Sequence, residues 1–323
     1  MTNLLILTDA GPSIGFGHIV RSIAIKNAWK FGDTKVLAYM EDGVPIFDGM
    51  DFFDWLNQTE KLTSFKLENM VVLVDSYRPN ANFFHSLKHI FNFVVVLDDY
   101  NRISYPVDLV LCPGLYATDI NYNNQITVPL GGPEYVIIRS EILEAKKKPR
   151  SQNVRSILVT FGGSQKNAFL YQLVMEIIEG SGFKAVVVTG NDKLANELVS
   201  KVSTIYGRLS PVAMAKIMAS VDMAISAAGQ TVNELAWLGV PTFLIKTGID
   251  QGGNWNYYTN YNYCMAGVVD DDPELGPVLR KVLKHTTYDM RKDLSQRLNH
   301  LLTSRGAETI CSVMRSSMKQ RNE

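Results

Sequence analysis

The chain has 323 residues, 46% hydrophobic and 20% charged, which is enough for a full core and, by length, favours two domains over one. Lys plus Arg and Asp plus Glu both total 32, so no net field holds the chain on nucleic acid or on an anionic membrane surface. The three cysteines, Cys112, Cys264 and Cys311, lack metal-like spacing and read as free thiols used for core packing; with no basic leader before the first apolar run and no stretch near the roughly 18 residues of a membrane span, the expectation is a cytoplasmic protein without an integral membrane segment.

In chain order, short apolar β-rich runs alternate with stretches of helical period. The first are Leu4–Leu7, a helix from about Ile19 to Phe31, and Val36–Tyr39; then come Met70–Val74, a helix around Asn80–Phe91, Phe93–Leu97 and Asp108–Leu111. Their hydrophobicity is continuous rather than alternating, which marks strands buried on both faces, as in a parallel sheet. Charge and a proline cluster over Glu144–Asn153, after which Ile157–Phe161 opens a second series. The expected domains are therefore 1–148 and 149–323.

The second series has runs at Lys184–Val188, Thr204–Tyr206, Met223–Ile225 and Thr242–Ile245, with helical segments near Ala168–Glu179, Pro211–Ser220 and Val232–Leu238. From about Glu274 the pattern is helical, rich in Leu, Lys and Arg, and is expected to join the two halves. The fold class is α/β: two Rossmann-like doubly wound domains, whose C-terminal strand ends are expected to face one another across a ligand cleft.

The first glycine loop, Asp9–Ser22, follows the first strand and enters the first helix. Gly15 and Gly17 allow close backbone approach, and the helix start offers unpaired N–H groups to an anion. The third glycine of a dinucleotide fingerprint is missing, which disfavours a nicotinamide enzyme. His18 reads two ways, as a general base for water or as a histidine that caps its own loop. Arg21, on the same helical face, serves either a phosphate or a structural salt bridge.

Gly162, Gly163 and Ser164 follow the first strand of the second series and form a phosphate-cradle pattern. Gly229, Gln230 and Thr231 sit where another strand yields to a helix, so that N–H groups and the Thr231 hydroxyl meet a diphosphate there. Glu234, one turn on, reaches a ribose diol or simply offsets the helix dipole. Asp250, Gln251 and Asn254, in a polar glycine-rich turn after the next strand, suit a sugar or diphosphate contact or a solvated loop. Asp75 and either Asp98 or Asp99, at strand ends, would orient His18, hold sugar hydroxyls, or cap loops.

Taken together, Gly15–Arg21, Val74–Tyr77, Leu97–Asp99, Tyr135–Arg139, Phe161–Ser164, Gly229–Glu234 and Gly239–Pro241 resemble, in order and spacing, the UDP-2,4-diacetamido-2,4,6-trideoxy-β-L-altropyranose hydrolases of pseudaminic acid biosynthesis. These lie within the MurG-like glycosyltransferase-B superfamily. The resemblance implies a catalytic His18, Tyr77 in the substrate pocket, Arg139 on the sugar side, UDP held by the second-domain loops with Glu234 near the ribose, and neither metal nor cofactor. The chain departs from the family pattern at Asp250, where Asn is usual, at Ser76, where a bulkier side chain is usual, and in a helical tail after about Leu275.

The function expected from these features is release of UDP from a UDP-linked amino or deoxy sugar. His18 activates water for attack at the anomeric carbon, and the helix starts at Gly163 and Gly229 take up charge on the departing diphosphate. The rivals are an inverting glycosyltransferase of the same fold, acting in surface polysaccharide or glycan biosynthesis, and a non-catalytic nucleotide-sugar sensor.

Overall fold

The structure, a computed structural model, describes residues 1–11, 13–41, 49–123, 125, 129–149, 151–162, 164–200 and 203–322. They divide into two compact units, Met1–Arg139 with Ser304–Glu323, and Ser140–Thr303.

The first unit runs β1 (Asn3–Ala10), α1 (Gly17–Ala28), β2 (Thr34–Met40), β3 (Asp51–Phe52), β4 (Met70–Asp75), α2 (Ala81–Ile90), β5 (Phe93–Leu97), β6 (Leu109–Cys112) and β7 (Leu130–Gly131). Among the described residues its sheet has the order β3-β2-β1-β4-β5-β6-β7, with every pair parallel. Successive side chains of a strand point to opposite faces, and here both faces are covered. Leu4, Ile6, Val71 and Leu73 join Ala24 and Ile25 of α1, and Trp29 just after it, in one buried cluster. Leu5, Leu7, Val72 and Val74 join Phe83, Phe84 and Leu87 of α2 in another. This double burial is the reason the strands read as unbroken apolar runs. The side chain of Asn80 caps α2 by accepting from the Phe83 N–H at 3.1 Å.

The second unit runs α3 (Ser140–Leu143), β8 (Ile157–Thr160), α4 (Ala168–Gly180), β9 (Ala185–Val188), α5 (Asp192–Glu197), β10 (Thr204–Tyr206), α6 (Pro211–Ser220), β11 (Met223–Ala227), α7 (Gln230–Trp237), β12 (Thr242–Lys246), α8 (Gly252–Asn260), β13 (Ala266–Val269), α9 (Leu275–His285) and α10 (Tyr288–Leu301). Its strands are parallel in the order β10-β9-β8-β11-β12-β13. Ile157, Val159, Ile225 and Phe243 of the sheet meet Tyr171, Val174 and Ile178 of α4 and Leu275, Leu279 and Leu283 of α9.

The units differ from the expected division at 148/149 in two respects. The chain leaves the first unit at Arg139, and α3, with Ile142 fully buried, packs on α6 and α7, so the charged segment after it lies inside the second unit. The helical tail also divides. Whereas α9 packs on α4 and α10 on α7, the last helix, α11 (Gly306–Asn322), packs on α1 in the first unit. Ala307, Ile310, Cys311, Met314 and Met318 repeat at helical spacing and enter the cluster of Ile25 and Trp29. Each large side chain so buried contributes about 1.5–3 kcal/mol. Among the described residues no helix is long and apolar enough to cross a membrane.

Candidate functional site

In each sheet the strand order reverses direction at one place, between β1 and β4 in the first unit and between β8 and β11 in the second. The carboxyl ends of such strands are where doubly wound sheets bind ligands. The glycine loops after β1, β8 and β11 fall at these two points.

At the first, β1 ends with Asp9 and Ala10 and gives way to a tight turn in which the Gly15 N–H donates to the Gly11 carbonyl at 2.7 Å. Gly15 has φ +88°, a conformation that favours glycine, and a Cβ placed on Gly15 or Gly17 meets nothing within 4 Å. The turn is tied to the end of β2 by Glu41, whose carboxylate accepts from the Ser13 N–H at 2.8 Å and from the Ser13 hydroxyl. The chain then enters α1, which carries His18 and Arg21 one turn apart on the face toward β4.

The parallel register sets Thr8 of β1 beside Asp75, the last residue of β4. Asp75 is 0% exposed and His18 only 5%, and His18 Nδ1 lies 2.6 Å from Asp75 Oδ1. Arg21 donates to the same carboxylate through Nε (2.8 Å to Oδ2) and Nη2 (2.6 Å to Oδ1), and through Nη1 to Asp99 at 2.9 Å. Ser22 adds a hydrogen bond to Asp75 at 3.3 Å. Tyr77 sets its ring edge-on to His18, centroids 4.3 Å apart, and donates its hydroxyl to Asp99. Its other neighbour is the exposed Tyr100, at 5.1 Å.

The electrostatics follow from this packing. Burial pushes the Asp75 carboxyl up, but the Arg21 guanidinium, then His18 and the hydrogen bonds from both, outweigh it and hold the group at about 2. Burial alone would lower Arg21, and Asp75 and Asp99 instead raise it well above its ordinary value. Tyr77 is raised by burial and by the negative Asp99, so its phenol keeps its proton and serves as a donor. An ionised carboxylate only accepts hydrogen bonds, so the short contact places a proton on His18 Nδ1, toward Asp75.

Of the two aspartates after β5, Asp99 reaches this cluster. Asp98, fully buried, caps its loop instead: it accepts from the Asn101 and Arg102 N–H groups at 2.5 and 3.2 Å and from the Tyr105 hydroxyl at 2.8 Å. Arg21 has its N–H groups engaged by Asp75 and Asp99, the salt-bridge role of the two the sequence offered. Arg139, half-buried, is the last residue of this segment of the first unit.

At the second point, β8 leads through Phe161 to Gly162, whose φ is +80° and whose Cβ position faces open space. Tyr171 anchors this exit: its oxygen accepts from the Phe161 N–H at 2.6 Å and lies 3.1 Å from the Gly162 carbonyl. Gly163 lies outside the described residues, and Ser164 is exposed. Gly229 is the N-cap of α7, with no side-chain cap bond and open space at its Cβ position, and the half-buried Gln230 and Thr231 begin the helix. Glu234, 2% exposed, lies one turn in.

The turn after β12 supports that helix start. Gln251 Oε1 accepts from the Ala228 N–H at 3.2 Å and the Thr247 N–H at 3.0 Å, tying the ends of β11 and β12 together. Asn254 donates to the Gly229 carbonyl at 3.3 Å. Asp250 sits exposed in the intervening 3-10 turn. One level deeper, the Tyr258 hydroxyl donates to Asn233 Oδ1 at 3.0 Å.

Asp9, Arg78 and Glu41 sit at the first point without having been singled out. A carboxylate ending an otherwise apolar strand was the available signal for Asp9. Among the described residues no group of three or more His, Cys, Asp or Glu side chains is arranged to hold a metal ion.

Residues 157–298 match the model of the glycosyltransferase family 28 C-terminal domain. The chain is 23% identical over 269 residues to an uncharacterised protein of Methanocaldococcus jannaschii, covering 75% of this chain and 55% of that one. It is 23% identical over 255 residues to the pseudaminic acid cytidylyltransferase and UDP-2,4-diacetamido-2,4,6-trideoxy-β-L-altropyranose hydrolase of Helicobacter pylori, covering 76% of this chain and 44% of that one. The chain thus spans about half the length of the curated relatives it matches. Among solved structures, Acinetobacter baumannii MurG superposes with a TM-score of 0.64 at 12% identity over 98% of this chain and 100% of that one. S. aureus MnaA, solved with UDP, gives 0.63 at 13% over 100% and 98%. The architecture is accordingly the two-domain α/β glycosyltransferase-B fold of MurG and its structural neighbours, with a second unit that matches the family 28 C-terminal domain.

Proposed function

We propose that this chain is a nucleotide-sugar enzyme and that it hydrolyses its substrate, releasing UDP from a UDP-linked amino or deoxy sugar. The observation that carries the reading is the buried Asp75–His18 pair at 2.6 Å, beside a turn whose glycines face open space. Asp75 holds the imidazole in the tautomer whose Nε2 accepts a proton. Water attacks the anomeric carbon as its proton passes to His18 Nε2, and the bond from that carbon to the diphosphate oxygen breaks with its electron pair on UDP. Tyr77 steadies the ring of His18 and, with Arg21, fixes Asp99.

The nucleotide belongs to the second-unit loops. Support comes from the match over residues 157–298, from the MnaA–UDP likeness, and from the start of α7 behind Gly229, an N-cap without a side chain, where N–H groups and the helix dipole favour an anion. Glu234 is assigned to the ribose. The Helicobacter pylori relative favours hydrolysis. The family 28 match favours a second reading, an inverting glycosyltransferase in which an acceptor hydroxyl replaces water.

The two are separated by product. Purified protein incubated with UDP-sugars in buffer alone is expected to give free sugar and UDP. Turnover that appears only on addition of a sugar or lipid acceptor assigns transfer instead. Tight binding of intact UDP-sugar with no turnover under either condition overturns both.

A further inference from the structure

The glycine turn that leads from β1 to His18 is gripped by Glu41, the residue after β2. The Glu41 N–H donates to the Ala10 carbonyl at 3.0 Å, continuing the β1–β2 pairing beyond Met40. Its carboxylate accepts from the Ser13 N–H at 2.8 Å and from the Ser13 hydroxyl. The Ser13 hydroxyl, then the Ser13 and Ile14 N–H groups, hold the Glu41 carboxyl below its ordinary value, so it stays ionised and accepting.

Gly11 is shaped to this grip. A Cβ built on Gly11 would run into Glu41 Oε2 and the carbons behind it. Gly11 has no positive φ, so what calls for glycine there is the close approach of that carboxylate. The turn is closed by paired backbone bonds between Gly11 and Gly15. Beyond them the chain enters α1 through Gly15, at φ +88°, and Gly17, and the Cβ position of each meets nothing within 4 Å. Glycine gives up more backbone freedom on ordering than other residues, so a path with two of them holds its direction poorly by itself. His18 follows at once, and its Nδ1 sits 2.6 Å from Asp75. Reacting groups tolerate displacements of only about 0.5 Å, which makes an anchor on Ser13 consequential.

We infer that Glu41 is a positioning residue for His18: by holding Ser13 it fixes the turn and the start of α1, so that the imidazole keeps its bond to Asp75. This rests on the proposed role of His18 and adds the residue that steadies the turn in front of it.

The test compares the wild type with Glu41→Ala, Gly11→Ala and the double variant. Gly11→Ala keeps Glu41 but sets a methyl group where its carboxylate lies, at the far end of a side chain that can swing away. The measurements are kcat and KM for UDP release from UDP-sugars, calorimetric UDP affinity, melting temperature, and the downfield proton resonance of the His18–Asp75 hydrogen bond, identified by its loss in His18→Ala. Each single variant should lower kcat about tenfold or more, with a much smaller change in KM, and should displace the resonance. UDP affinity should stay within about twofold, and the double variant should match Glu41→Ala, because both changes remove one contact. The melting temperature should stay within about 2 °C. An unmoved resonance or unchanged kcat in either single variant, additive losses in the double variant, or a kcat loss that comes with a larger fall in melting temperature overturns the assignment. If no UDP-sugar is turned over by the wild type, the nucleotide-sugar reading falls, and the resonance decides the positioning role without it.

Discussion

The two strand-reversal points of this chain are built from opposite materials. The first is crowded with ionised side chains that satisfy one another: Asp75 takes hydrogen bonds from His18, Arg21 and Ser22, and Arg21 reaches on to Asp99. The second is built on glycines and backbone held by Gln251 and Asn254, with open space at Gly162 and Gly229 and, at the helix start, an N-cap glycine that has no side chain of its own. A charge cluster that is already bonded is suited to holding one proton-accepting nitrogen in place. A bare helix start is suited to receiving an anion from outside. The division matches the proposed labour, chemistry from the first unit and nucleotide binding from the second.

The sharpest way to break this contrast is His18→Ala. UDP release should fall about 10²–10⁴-fold while UDP affinity is unchanged. Single-turnover UDP assays beside calorimetry read both quantities, and near wild-type release removes His18 as the base. Arg21→Met strips the guanidinium from two buried carboxylates and should destabilise the fold by about 3–5 kcal/mol. Urea denaturation that shows a loss below 1 kcal/mol would mean that the cluster is far wetter than its burial implies.

Acid sharpens the comparison further. Asp75 is held at about 2 against an ordinary 3.8, so its stabilising contribution is complete above about pH 4 and is lost as the pH falls through its folded value. That amounts to on the order of 2 kcal/mol. Asp75→Asn should flatten this limb of the stability profile between pH 4 and 2; an unchanged limb would assign the acid sensitivity elsewhere.

The smallest effects separate the two open glycines. Gly162→Ala forces a side chain into φ +80° and should cost about 1–2 kcal/mol. Gly229 has φ −80° and free space around it, so Gly229→Ala should leave the melting temperature within about 2 °C while weakening UDP binding. Equal thermal losses at both positions would show that conformation is not what distinguishes them.

Much of this was legible in the chain. Continuous apolar runs identified the core strands of both sheets, because burial on two faces removes the alternation that one wet face imposes. The i, i+3 spacing of His18 and Arg21 set them on one face of α1, and the aspartate at the end of β4 was in view as one of several groups that would orient His18. The choice between Asp98 and Asp99 was not legible, since past the end of a strand no period dictates which neighbour turns inward. Asp9 was passed over because its partner, Ser76, follows a different strand, a juxtaposition that only packing reveals. Short elements such as α8 and β13 were missed because polar and glycine-rich residues, here Gly252–Asn260, carry little periodic signal. The helical reading from about Glu274 likewise did not separate α11 from α9 and α10 or name its partner, α1.

That return of α11 to the first unit has a consequence for how the chain is made. Residues 140–303 are inserted within the first unit, so a ribosome completes the entire second sheet before the helix that covers Ile25 and Trp29 emerges. Until then the underside of α1 presents an oily groove to the cell, and the half that starts first finishes last.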